Sequence, residues 1–147
     1  MPARLPDELR IRIDARMRKA GRFGSAAQTA FDGKDYETCA SRCYYAAFHA
    51  ATALLMAHGR TEAEQWQTHE MVMNQCITLG TRRNKWLVAL RLKGARDFAN
   101  SFHGLYNLRL KADYGSEPIG RRRANEALVF VTDFLIAVND RIPLPNP

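Results

Sequence analysis

From Cys43 to Ala57 the only polar groups are the Tyr44 and Tyr45 hydroxyls, His49 and Thr52. A stretch so rich in Ala and Leu, without Gly or Pro, predicts a helix. Because it is apolar on every side, it predicts a buried one. It is too short and too interrupted to cross a bilayer, which takes about 20 apolar residues. Asp35 suits the N-cap of this central helix and Gly59 its C-terminal cap.

The same periodicity places the other elements. Leu9, Ile13, Met17, Ala20 and Phe23 or Gly24 repeat at helical spacing, which predicts a first helix from near Asp7 to about Phe31. Gly21 and Gly24 suggest a bend or a close crossing. Gly33, in the turn Asp32-Gly33-Lys34-Asp35, suits a left-handed cap. Thr61-Glu62-Ala63-Glu64 fits a capping box. It predicts a third helix to about Leu79, with Trp66, Met73, Cys76 and Ile77 inward and Gly80 closing it. A fourth helix is expected from about Lys85 to Tyr114, with a broad apolar face that includes Leu87, Leu90, Leu92, Phe98, Phe102, Leu105, Tyr106, Leu108 and Leu110. Gly94 and Gly104 weigh against its continuity. Pro118 breaks the chain, and a last helix follows from about Arg121 to Asp140 along Ala124, Ala127, Leu128, Val131, Leu135 and Val138. No alternating strand pattern occurs. About five helices with short connections predict an all-α fold, a single antiparallel bundle. At 147 residues the chain is expected to be one domain, 1–147, with short flexible tails at about 1–6 and 142–147.

Composition narrows the setting. With 46% hydrophobic and 25% charged residues the chain is that of a folded protein, not a disordered one. A net charge of +7 favours anionic partners such as RNA, an acidic protein or a membrane surface. Cys39, Cys43 and Cys76 show no metal spacing, so no metal or cofactor is expected, and they read as reduced thiols in a cytoplasmic protein. The opening residues hold no apolar core of a signal peptide, and no membrane partner is expected.

The buried helix carries unexpected chemistry. Arg42 and His49 are seven residues apart, so they project about 20° from each other and lie about 10 Å apart along the axis. Tyr45 and Thr52 continue the stripe. Arg forks onto phosphate oxygens, and His can move a proton near neutral pH. The alternative is structural: His49 as a core hydrogen-bonder, and Arg42 paired with Asp113 or Glu37. The bases of the first helix, Arg10, Arg12, Arg16, Arg18, Lys19 and Arg22, read as a solvated face or a phosphate-facing one. Arg82, Arg83, Lys85, Arg121, Arg122 and Arg123 are candidates for phosphate contacts, since an arginine run at a helix start opposes the dipole.

Residues 35–59 and their flanks resemble the HEPN domain family (higher eukaryotes and prokaryotes nucleotide-binding). The matching residues are Asp35-Tyr36-Glu37, the run from Ala40 to Ala51 (ASRCYYAAFHAA), Leu54-Leu55, Thr68-His69, and Leu105 to Tyr114 (LYNLRLKADY). The resemblance covers about residues 17–138. It implies a helical bundle that dimerises. In many members it also implies a metal-independent endoribonuclease with an Arg-x4–6-His motif, often a toxin paired with a minimal nucleotidyltransferase antitoxin. Arg42 and His49 form such a motif here. In the nuclease members it lies on a late helix with a polar residue after the Arg. Here it lies on the second helix and Cys43 follows. The late helix instead carries Arg109 and Asp113-Tyr114. Two readings follow. One is an RNA-cleaving homodimeric toxin with Arg42 and His49 as the catalytic pair, supported by Tyr45, His69, Arg109, Asp113 and Tyr114. The other is a non-catalytic HEPN module that binds a nucleotide, RNA or a nucleotidyltransferase.

Overall fold

The computed structural model describes residues 5–65, 68–83 and 95–142, without the side chains of 77–83 and 95–101. Five α-helices account for most of them: α1 (Asp7–Asp32), α2 (Tyr36–Ala57), α3 (His69–Arg83), α4 (Ala95–Tyr114) and α5 (Arg121–Arg141). No strand occurs among the described residues. The protein is an all-α bundle, as the periodicity predicts.

The bundle is built around α2. Sixteen of its 22 residues are buried, from Cys39 to Ala57, which is what a helix apolar on all sides requires. Helix α1 lies along α2, α4 and α5 pack on its other sides, and α3 packs between α2 and α4. The alanines at 40, 46, 47, 50, 51 and 53 are all fully buried, so the neighbouring backbones come close.

The caps of α2 form as expected. The Asp35 carboxylate accepts the Thr38 N–H at 3.2 Å. Gly59, at φ 97°, takes the left-handed conformation, with its N–H on the Met56 carbonyl and that of Arg60 on Leu55. Helix α1 runs unbroken through Gly21 and Gly24. Gly24 marks a close crossing, because a Cβ there would stand 3.1 Å from Leu135 Cδ1 on α5.

Three expectations are corrected. Lys34, not Gly33, is the left-handed residue after α1, at φ 62°. The Lys34 N–H reaches the Phe31 carbonyl and the Asp35 N–H reaches Ala30, which makes Lys34 the C′ residue of a Schellman motif. The third helix does not start at Thr61. Thr61–Gln65 is a short 3-10 turn, and α3 begins at His69, where Thr68 Oγ1 accepts the Met71 N–H at 3.4 Å. The cause is tertiary. The Glu64 carboxylate that a capping box would turn back is held by Arg12 at 2.9 Å, and the Glu64 carbonyl by Arg16 at 3.1 Å. Finally, Gly80 does not close α3, which continues to Arg83; the expected fourth helix does run unbroken through Gly104 to Tyr114. Trp66, Lys85, Leu87, Leu90, Leu92 and Gly94, and the side chains of Ile77, Arg82, Arg83 and Phe98, lie outside what is described.

Candidate functional site

Two polar clusters flank the tyrosine pair of α2. The first lies between α1 and α2. Arg16 Nη1 donates to His49 Nδ1 at 2.9 Å. Arg cannot accept a hydrogen bond, so Nδ1 is the acceptor and the proton of neutral His49 sits on Nε2. The Phe23 ring stacks on His49 at 5.4 Å between centroids and lies 5.6 Å from Tyr45. The Arg42 guanidinium stands over the same Phe23 ring at 5.9 Å. Arg42 and His49 therefore share a neighbour, and no hydrogen bond joins them. Burial, then the charges of Arg16 and Lys19, lowers the His49 pKa to about 4. Thr52 completes the stripe by bonding back to the Phe48 carbonyl at 2.9 Å.

The second cluster joins α2, α3 and α4. Arg109 lies over three rings, Tyr44 at 5.1 Å, Tyr106 at 5.3 Å and Tyr45 at 5.7 Å, and pairs with Asp113 at 3.6 Å. His69 stacks on Tyr106 at 4.2 Å, with its Nδ1 3.4 Å from the Tyr44 hydroxyl. Burial, then the charges of His103 and Arg109, lowers the His69 pKa to about 4. Burial first, against the opposing charge of Arg109, pushes Tyr44 up to about 12, so its hydroxyl stays protonated.

Tyr45 joins the two clusters, with Phe23 on one side and Arg109 of α4 on the other. His103, Tyr106, Arg109 and Asp113 follow at helical spacing. Beside them Glu37, Thr38, Ser41, Arg42, Ala112 and Asp113 line a cleft of about 120 Å³. Arg42 and Asp113 thus face one opening without an ion pair between them. Asp113 is taken by Arg109, and the Glu37 carboxylate by the Ile119 N–H at 3.0 Å. The structural pairings expected for Arg42 do not form among the described residues.

The remaining candidates lie apart. Tyr114 is 78% exposed at the end of α4. Arg121 covers Phe31 at 5.6 Å, and Arg122 pairs with Glu126 at 3.2 Å. Arg123 borders a separate groove with Leu108 and Phe130. Arg16 and Phe23 are the residues that the sequence reading underrated. Arg16 is three residues after buried Ile13 and four before buried Ala20, so its position on the inner face was there to be found.

The family model of the HEPN domain matches residues 13–141. The chain belongs to the HEPN domain family. A UPF0332 protein of Archaeoglobus fulgidus is 32% identical over 138 residues, 90% of this chain and 97% of that relative. The HEPN match takes in every helix but the start of α1. It includes both clusters and the cleft between α2 and α4. No helix among the described residues is long and apolar enough to cross a membrane.

Proposed function

We propose that this HEPN protein is an RNA- or nucleotide-binding module whose ligand lies along the Arg42–Tyr45–Arg109 face. One observation carries the reading: His49 has no free lone pair. Its Nδ1 is taken by Arg16 and its Nε2 bears the proton, so it is a core hydrogen-bonder rather than a base ready to deprotonate a 2′-hydroxyl. The arginines are placed differently. Arg42 and Arg109 are half-buried and backed by aromatic rings, and Arg42 lines the cleft beside Asp113, which suits phosphate contact and base stacking. The +7 charge adds long-range attraction, and the exposed Arg18, Lys19, Arg22 and Arg121–Arg123 supply it at the surface.

The test is binding of fluorescent single-stranded RNA over a salt series. Arg42→Ala should weaken binding by about tenfold and reduce the salt slope by about 0.7. An unchanged affinity and slope would remove the face from the reading.

A second reading is the metal-independent endoribonuclease: a homodimeric toxin that meets a minimal nucleotidyltransferase antitoxin. Phe23 supports it, because one ring touches both Arg42 and His49. RNA cleavage lost in His49→Ala would favour it.

A further inference from the structure

The second cluster holds two buried nitrogens with no partner, His69 Nε2 and Arg109 Nε. His69 is 7% exposed, so its orphan atom is costly. Tyr44 settles what that atom needs. Its hydroxyl lies 3.4 Å from His69 Nδ1, and the Arg109 guanidinium beside it can only donate to its oxygen, which leaves the hydroxyl proton for Nδ1. Neutral His69 is then protonated on Nε2. Arg109 Nε–H is a donor in every state. The two unmet groups are both donors, and both side chains lie against the Tyr44 and Tyr106 rings. Asp113 meets Arg109 through Nη1, not through Nε.

Two unmet donors beside a guanidinium call for a ligand that only accepts. His69 is also the first residue of α3, where the peptide N–H groups point out of the helix and favour negative charge. Exposed Thr68 and His103 border it on the solvent side. We infer that His69 and Arg109 form a phosphoryl-binding site, in which Nε2–H and Nε–H each donate to an oxygen of a phosphate group. The inference rests on the RNA- or nucleotide-binding reading and names the part of the ligand that this cluster takes. The group could be the terminal phosphate of an RNA or free phosphate.

The experiment follows the imidazole 15N and 1H signals of the full-length protein by NMR. It titrates inorganic phosphate, then a 5′-phosphorylated oligoribonucleotide, then the same oligomer without its phosphate. The His69 signals should move saturably with phosphate. They should move at concentrations at least tenfold lower with the phosphorylated oligomer than with the unphosphorylated one. Arg109→Lys, which keeps the charge but removes the Nε donor, should weaken the phosphate response about tenfold. Saturation by phosphate with no preference between the oligomers would assign the site to a free phosphate. Unmoved His69 signals at high phosphate, with the parent folded, would overturn the inference and leave a buried water as the partner. RNA binding that still depends on Arg42 would then show that the broader reading survives alone. A His69 response to phosphate without any RNA binding would show the converse.

Discussion

Arg16 on α1 donates to Nδ1 of His49 on α2 at 2.9 Å, and with its other terminal nitrogen it holds the Glu64 carbonyl at 3.1 Å. One guanidinium thus fixes a tautomer, ties α1 to α2 and pins the turn before α3. Arg16→Ala should cost about 2 kcal/mol, through the two lost hydrogen bonds and the acceptors they leave behind. It should also raise the His49 pKa from about 4 toward its ordinary value, because a nearby positive charge is removed. Denaturant melts and an NMR titration of His49 measure the two effects. An unchanged His49 pKa would show that burial and Lys19 set it without Arg16.

Stability should fall in mild acid. His49 and His69 titrate at about 4 in the folded protein, against about 6.5 in an unfolded chain. Between these values the unfolded chain binds more protons, so stability rises with pH. The contribution is complete above about pH 6.5 and is lost as the pH falls to about 4. Each histidine is worth on the order of 3 kcal/mol across that window. Urea midpoints at pH 7 and pH 4.5, for the parent and for His49→Gln, isolate one of them. The variant should lose clearly less stability than the parent on acidification. Equal losses would contradict the assignment.

Lys34 occupies a left-handed position at φ 62°, where a side chain costs about 1 kcal/mol and glycine does not. Lys34→Gly should therefore stabilise the protein by up to about 1 kcal/mol, after the entropy of a freer unfolded chain is subtracted. Thermal melts read this directly, as a rise of a few degrees. A lower melting temperature would mean that the Lys34 side chain does more than its conformation suggests.

Two glycines three residues apart on α1 should respond differently. A Cβ at Gly21 would meet nothing within 4 Å, so Gly21→Ala should stabilise the helix by about 0.5–1 kcal/mol. At Gly24 the Cβ would stand 3.1 Å from Leu135 Cδ1, so Ala should gain less and Val should destabilise by about 1–3 kcal/mol. Parallel denaturation of the three variants checks the order. Equal effects at both positions would refute the close crossing of α1 and α5.

Much of this arrangement was legible in the chain. The run from Cys43 to Ala57 could only be a buried helix, and Asp35 and Gly59 mark its ends by local chemistry. The start of α3 was not legible, because Thr61 to Glu64 carries a sound local capping signal that distant Arg12 and Arg16 override. The site was half legible. Spacing puts Arg42 and His49 on one stripe, but only the fold shows Phe23 between them and Arg16 on the imidazole. Arg16 was obscured by its neighbours, since a half-buried base among six on one helix looks like the solvated ones around it. The role of Tyr44, which links His69 to Arg109, depends on contacts between helices far apart in sequence.

The most direct test incubates 5′-labelled single-stranded RNA with the full-length protein in EDTA, beside His49→Ala, and resolves the products on denaturing and native gels. A binding module with a structural His49 predicts intact RNA on the denaturing gel. It predicts retarded RNA on the native gel for the parent, and also for the variant wherever it remains folded. Fragments produced by the parent and absent with a folded His49→Ala variant would contradict the account and make His49 a catalytic residue.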